Sequence, residues 1–130
     1  RRPRRRRSLV PVDRISERAL RKLMKERIED DALCVIKFYS NTCDYCSALH
    51  QPYLDISNEY EEEKVHFFAF NIEDSDRLKD IVSINGVPTI ASVKTGLLKP
   101  RIRILEDPSA PNKQTWYYPA DIKNFIEGQR

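Results

Sequence analysis

The chain has 130 residues, 40% hydrophobic and 33% charged, with 3 Gly, 8 Pro and a net charge of +3. That is the size of one ordinary domain, and the composition excludes collagen-like and wholly disordered chains. The longest apolar run, around Val65 to Phe70, is far below the roughly 20 residues that a membrane-crossing helix needs.

Charge is unevenly placed. Arg1, Arg2 and Arg4 to Arg7 hold six of the 23 Lys and Arg, and without them 17 cations face 20 acids. Residues 1–8 read as a flexible basic tail and residues 9–130 as one mildly acidic domain. The tail is suited to phosphates of nucleic acid or to an acidic protein or membrane surface. It has no interleaved aromatic, so such contact is expected to be weak and salt-dependent. The chain does not start with Met, which leaves room for a leader or a larger parent protein.

Leu9 to Val12, broken by Pro11, suits an edge strand, where a missing backbone donor is tolerated. Ser16 offers an N-cap oxygen, and Leu20, Leu23, Met24 and Ile28 recur at helical spacing, predicting a helix from Ser16 to about Glu29. After the acidic turn Glu29-Asp30-Asp31, the nearly continuous apolar run from Ala32 to Tyr39 predicts a central parallel strand covered on both faces. Cys46, Leu49, Tyr53, Ile56 and Tyr60 return every three or four residues, so Asp44 to Tyr60 reads as a long helix bent at Pro52.

Val65 to Phe70 predicts a second buried strand, Asp74 to Ile81 a short helix, and Val87 to Val93 a third strand. Alternating strand and helix imply an α/β fold with helices on both faces of the sheet. Lys94-Thr95-Gly96 reads as a turn. Ile102 and Ile104, alternating with Arg101 and Arg103, predict an antiparallel edge strand. Glu106 to Gln114 reads as a loop, Trp116 to Tyr118 as a short strand, and Pro119 as the start of a last helix ending at Gly128.

The sharpest chemical feature is Cys43-Asp44-Tyr45-Cys46, after a buried strand and at a helix start. Two intervening residues let one helical turn hold the sulfurs at bonding distance. The unpaired N–H groups and the dipole of that turn favour a thiolate at Cys43. Cys43 is the candidate nucleophile, and Cys46, one turn deeper, the resolving thiol of a disulfide exchange. A zinc site is the competing reading, since half-sites share this spacing. It needs about four ligands, and only Cys34, His50 and His66 remain, with His50 on the face of Cys46. The odd third cysteine, Cys34, reads as a small core residue and points to a reducing, cytoplasmic setting.

Val35-Ile36-Lys37-Phe38-Tyr39 before the Cys-x-x-Cys, and Gly86-Val87-Pro88-Thr89 about forty residues later, resemble the thioredoxin superfamily from about Leu9 to Gly128. The resemblance implies the thioredoxin fold, a central mixed β-sheet flanked by helices on both faces. It implies a thiol-disulfide oxidoreductase that reduces protein disulfides, without metal or bound organic cofactor. A thioredoxin reductase-like or glutathione system would supply electrons, and the protein is expected to be a monomer. Pro88 would be a cis proline facing the disulfide. Thr42, Asp44, Tyr45, Val87 and Pro88 would meet the substrate, with the Val87 backbone pairing to an extended segment.

The chain departs from that family in three places. Thr42 stands where Trp is usual, Asp44-Tyr45 replaces Gly-Pro, and Lys37 replaces the buried acid six residues before the first cysteine. Asp44 beside Cys43 should disfavour the thiolate and make the couple more reducing. Lys37, if buried, would be held neutral often enough to act as a base toward Cys46; if it reached water it would be a surface cation. The tail and the long 100–118 segment, with Trp116, Tyr117 and Tyr118, also support a different class, a tethered binding or scaffold module. A disulfide isomerase-like domain of a larger protein is a third.

Overall fold

Apolar residues from Ala32 to Tyr39 cannot be exposed on either side, and in the computed structural model, which describes residues 10–130, they form the middle strand of the sheet. Among the described residues the strands are β1 (Asp13–Arg14), β2 (Ala32–Tyr39), β3 (Val65–Asn71), β4 (Thr89–Thr95) and β5 (Arg101–Ile104). The helices are α1 (Glu17–Lys25), α2 (Asp44–Glu59) and α3 (Pro119–Gln129). The Arg-rich tail and Leu9 lie outside the described residues.

The sheet order is β1-β3-β2-β4-β5. β2 pairs parallel with β3 and antiparallel with β4, so the sheet is mixed, as the family resemblance implies, and the central strand is parallel on one side only. Side chains alternate across the sheet and feed two cores. On one face Leu33, Val35, Val65 and Ile90 pack with Leu49, Tyr53 and Ile56 of α2 and Ile122 and Ile126 of α3. On the other, Cys34, Ile36, Phe38, Phe70 and Val93 meet Leu20 and Met24 of α1 and the Ile81-Val82 segment. Each fully buried aliphatic side chain contributes roughly 1.5–3 kcal/mol.

Several expected boundaries move, each for a local reason. The first strand is Asp13–Arg14, beyond Pro11, whose ring carries no N–H for a ladder. Val10 instead exchanges two hydrogen bonds with the Asn58 side chain. α1 is capped by Ser16, whose Oγ accepts from the Ala19 N–H, but stops at Lys25, leaving Ile28 outside. The acids that follow would oppose the negative end of a longer helix. α2 runs from Asp44 through Pro52 to Glu59.

Residues 74–81 do not form one helix but two 3-10 turns, Ile72–Asp74 and Leu78–Asp80. Asn71 Oδ1 takes the Glu73 N–H and Ser75 Oγ the Arg77 N–H, so side chains use up donors that a helix would pair. β4 begins at Thr89 rather than Val87, because Pro88 cannot donate to the ladder. It continues through Lys94 and Thr95, which were expected to turn. Thr95 Oγ1 lies 2.7 Å from the Asp30 carbonyl, closing that end. Trp116 to Tyr118 form no strand: an isolated bridge joins Asn112 to Trp116, whose φ is 69°. α3 runs past Gly128 to Gln129.

Candidate functional site: a disulfide at the start of a helix

β2 ends at Tyr39 and hands the chain to a short loop that must turn into α2. A polar network fixes that turn. The buried Asn71 donates from Nδ2 to Asn41 Oδ1 at 2.8 Å and accepts the Glu73 N–H at 2.9 Å. Glu73 in turn accepts the Asn41 N–H at 2.8 Å. The loop before the cysteines is thus tied to the end of β3. These three residues were not singled out from sequence; their only signal is a buried Asn closing an apolar strand.

Cys43 is the N-cap of α2, and its sulfur accepts the Cys46 N–H at 3.0 Å. Cys43 and Cys46 are joined in a disulfide, with Cα atoms 5.2 Å apart. Cys43 is half-buried and Cys46 only 4% exposed, so the first cysteine is the more accessible of the pair. The Cys46 N–H and the positive end of the helix dipole would stabilise a thiolate at Cys43 in the reduced protein. Thr42 and Asp44 are exposed beside it.

Lys37 is buried at 4% exposure, so it is not the surface cation of the second reading. Its ammonium lies 5.5 Å from the Tyr39 ring centre and 5.1 Å from that of Tyr53. Burial pulls its pKa down to about 8. Lys37, Cys46, Ser47 and His50 line one cavity of 440 Å³. The Cys34 thiol is buried and free, pushed up to about 11 by desolvation. It belongs to the core on the α1 face, whereas Cys46 belongs to α2. No group of three or more His, Cys, Asp and Glu among the described residues is arranged to hold a metal.

The Val87–Pro88 peptide is cis. Register pairs Thr89 with Phe38, so Val87 and Pro88 lie at the end of the sheet from which the Cys43 loop departs. Tyr45, between the cysteines, packs edge to face on Trp116, with ring centres 5.3 Å apart. The long segment before α3 therefore reaches the turn between the two cysteines.

A mixed sheet covered on both faces by helices, with a disulfide capping the helix after its central strand, defines a thioredoxin-fold protein with a Cys-x-x-Cys pair. The family model described as Thioredoxin matches residues 17–108, and the chain belongs to the thioredoxin family. No curated protein matches it in sequence. Among solved structures it is similar to a thioredoxin of Malassezia sympodialis, Mala s 13, at 19% identity and a TM-score of 0.65, covering 94% of this chain and 96% of that one. It is similar to chloroplastic thioredoxin z at 17% identity and a TM-score of 0.66, with coverage of 94% and 96%. Oxidised mitochondrial thioredoxin 3 from Saccharomyces cerevisiae is 17% identical, with a TM-score of 0.61 and coverage of 90% and 94%. At these identities the likeness is one of fold.

Proposed function

We propose that the protein is a thiol-disulfide oxidoreductase that reduces protein disulfides through Cys43 and Cys46. The observation that carries this reading is the disulfide itself, with its outer sulfur at the N-cap of α2 and its inner sulfur buried. In the reduced protein the Cys43 thiolate attacks a substrate disulfide, expelling one substrate thiolate and forming a mixed disulfide. Cys46 then loses its proton and attacks Cys43 Sγ, which expels the second substrate thiolate and closes the Cys43–Cys46 bond. Two electrons pass to the substrate, and an external thiol system, thioredoxin reductase-like or supplying two glutathiones per turnover, restores them.

Neutral Lys37 is the base for the Cys46 proton, relayed through the shared cavity; with a pKa of about 8 about a tenth of it is neutral at pH 7. Thr42, Asp44, Tyr45 and Val87 form the contact surface for an extended substrate segment, with the buried Pro88 fixing the Val87 backbone behind it. A reducing, cytoplasmic setting suits a chain with an unpaired Cys34.

The test is insulin-disulfide reduction driven by dithiothreitol. Cys43→Ser is expected to abolish catalysis, and Cys46→Ser to accumulate a mixed disulfide visible by mass. Wild-type protein no faster than dithiothreitol alone, or an active Cys43→Ser variant, would overturn the proposal in favour of a binding module.

A further inference from the structure

The segment between β5 and α3 is built to present one side chain. Asn112 and Trp116 exchange two backbone hydrogen bonds of 3.0 Å, and Asn112 Oδ1 takes the N–H groups of Gln114 and Thr115. Thr115 Oγ1 donates to the Tyr117 carbonyl at 2.7 Å. The braced loop holds Trp116 at φ 69°, a left-handed conformation that residues with side chains avoid unless their surroundings impose it. What the loop achieves is placement of the Trp116 ring against Tyr45, inside the Cys-x-x-Cys turn.

Two carboxylates flank the aromatic pair. Asp107 Oδ1 accepts the Trp116 Nε1–H at 3.2 Å, and Asp44 stands exposed directly after Cys43. Neither carboxylate is in an ion pair among the described residues. On the loop itself the single cation, Lys113, is outnumbered by Glu106 and Asp107. An edge-to-face pair also leaves ring faces unstacked, and Tyr45 is 37% exposed. Aromatic faces beside unpaired carboxylates attract a cation on a flexible stem.

We propose that Tyr45, Trp116, Asp44 and Asp107 form a specificity site that selects protein substrates carrying Lys or Arg next to the disulfide cysteine. The inference rests on the reductase reading above. The cationic residue of the substrate lies on the aromatic pair while its neighbouring cysteine sulfur meets Cys43. An acidic neighbour in the same place faces Asp44 and Asp107 and is rejected.

Two synthetic peptides test this, each with one internal disulfide and differing only in Lys or Glu beside one cysteine. Each catalysed rate is divided by the rate with dithiothreitol alone, since a neighbouring charge alters the reactivity of the disulfide itself. The expected kcat/KM ratio favours the Lys peptide about tenfold at low salt and shrinks with added salt. Asp107→Lys is expected to bring the ratio to one or invert it, and Trp116→Leu to cut it severalfold. A wild-type ratio near one, or a ratio untouched by both substitutions, overturns the specificity site while leaving the reductase standing. Failure of the wild type to reduce either peptide overturns both.

Discussion

Lys37→Met is the most informative single substitution, because burial of the ammonium sets the sign of the effect on stability as well as on chemistry. Lys37 is 4% exposed, and its lowered pKa has one cause, desolvation. A fall from the ordinary 10.5 to about 8 corresponds to about 3 kcal/mol of penalty against the ammonium in the folded state, at about 1.36 kcal/mol per pH unit. The folded pKa lies below the unfolded one, so the unfolded chain holds the proton more tightly. The penalty is therefore complete below pH 8, falls as pH rises, and is gone above about pH 10.5. Met fills a similar volume without charge and can keep contact with the Tyr39 and Tyr53 rings. At pH 7 the variant should be more stable by about 2–3 kcal/mol, or about 10 °C in Tm for a domain of this size. Paired urea titrations at pH 7, 9 and 10.5 read the difference, and groups common to both proteins cancel. A variant no more stable at pH 7, or a difference that stays flat with pH, would refute the reasoning. The same variant should slow the resolving step and lose its rise in rate around pH 8.

Three further outcomes follow from the geometry. Asn71→Ala removes the buried bridge between Asn41 and Glu73 and should cost about 2 kcal/mol in urea unfolding, with slower insulin reduction, because buried polar partners are left unpaired. Tyr117 buries its hydroxyl with no partner in hydrogen-bonding geometry, although Thr89 and Ile90 are near; Tyr117→Phe should be neutral or stabilising by up to about 1 kcal/mol in thermal unfolding. Cys34, buried and with its thiol pushed up to about 11, should resist iodoacetamide in the native protein at pH 8, whereas rapid native-state labelling would contradict its burial.

Legibility in the sequence followed how local each cause was. The apolar run of β2, the period of α2 and the two cysteines at its start are set by neighbouring residues, and their limits were read to within a residue. The second strand and the alternating Arg-Ile edge were read for the same reason. The 72–80 turns were not, because side chains of Asn71 and Ser75 compete with helix pairing only when fixed in place by Asn41 and Glu17. The antiparallel entry of β4 depends on how residues 72–88 cross the end of the sheet, which no periodicity reports. Lys37 was visible as an anomaly, but its burial depends on α2 lying over it. Trp116 was noticed as an aromatic in a long loop. Its contact with Tyr45 joins positions 71 apart and rests on a left-handed residue that the sequence does not mark.

The reduction potential of Cys43/Cys46 tests the central claim most directly. The protein is equilibrated in graded dithiothreitol redox buffers, quenched with an alkylating reagent and weighed, so that the two reduced thiols are counted separately from Cys34. A reductase requires one two-electron transition near −270 mV, within reach of cytosolic donors. A transition near −180 mV would make the domain an isomerase or oxidant, and the absence of any two-electron transition would contradict the redox account altogether.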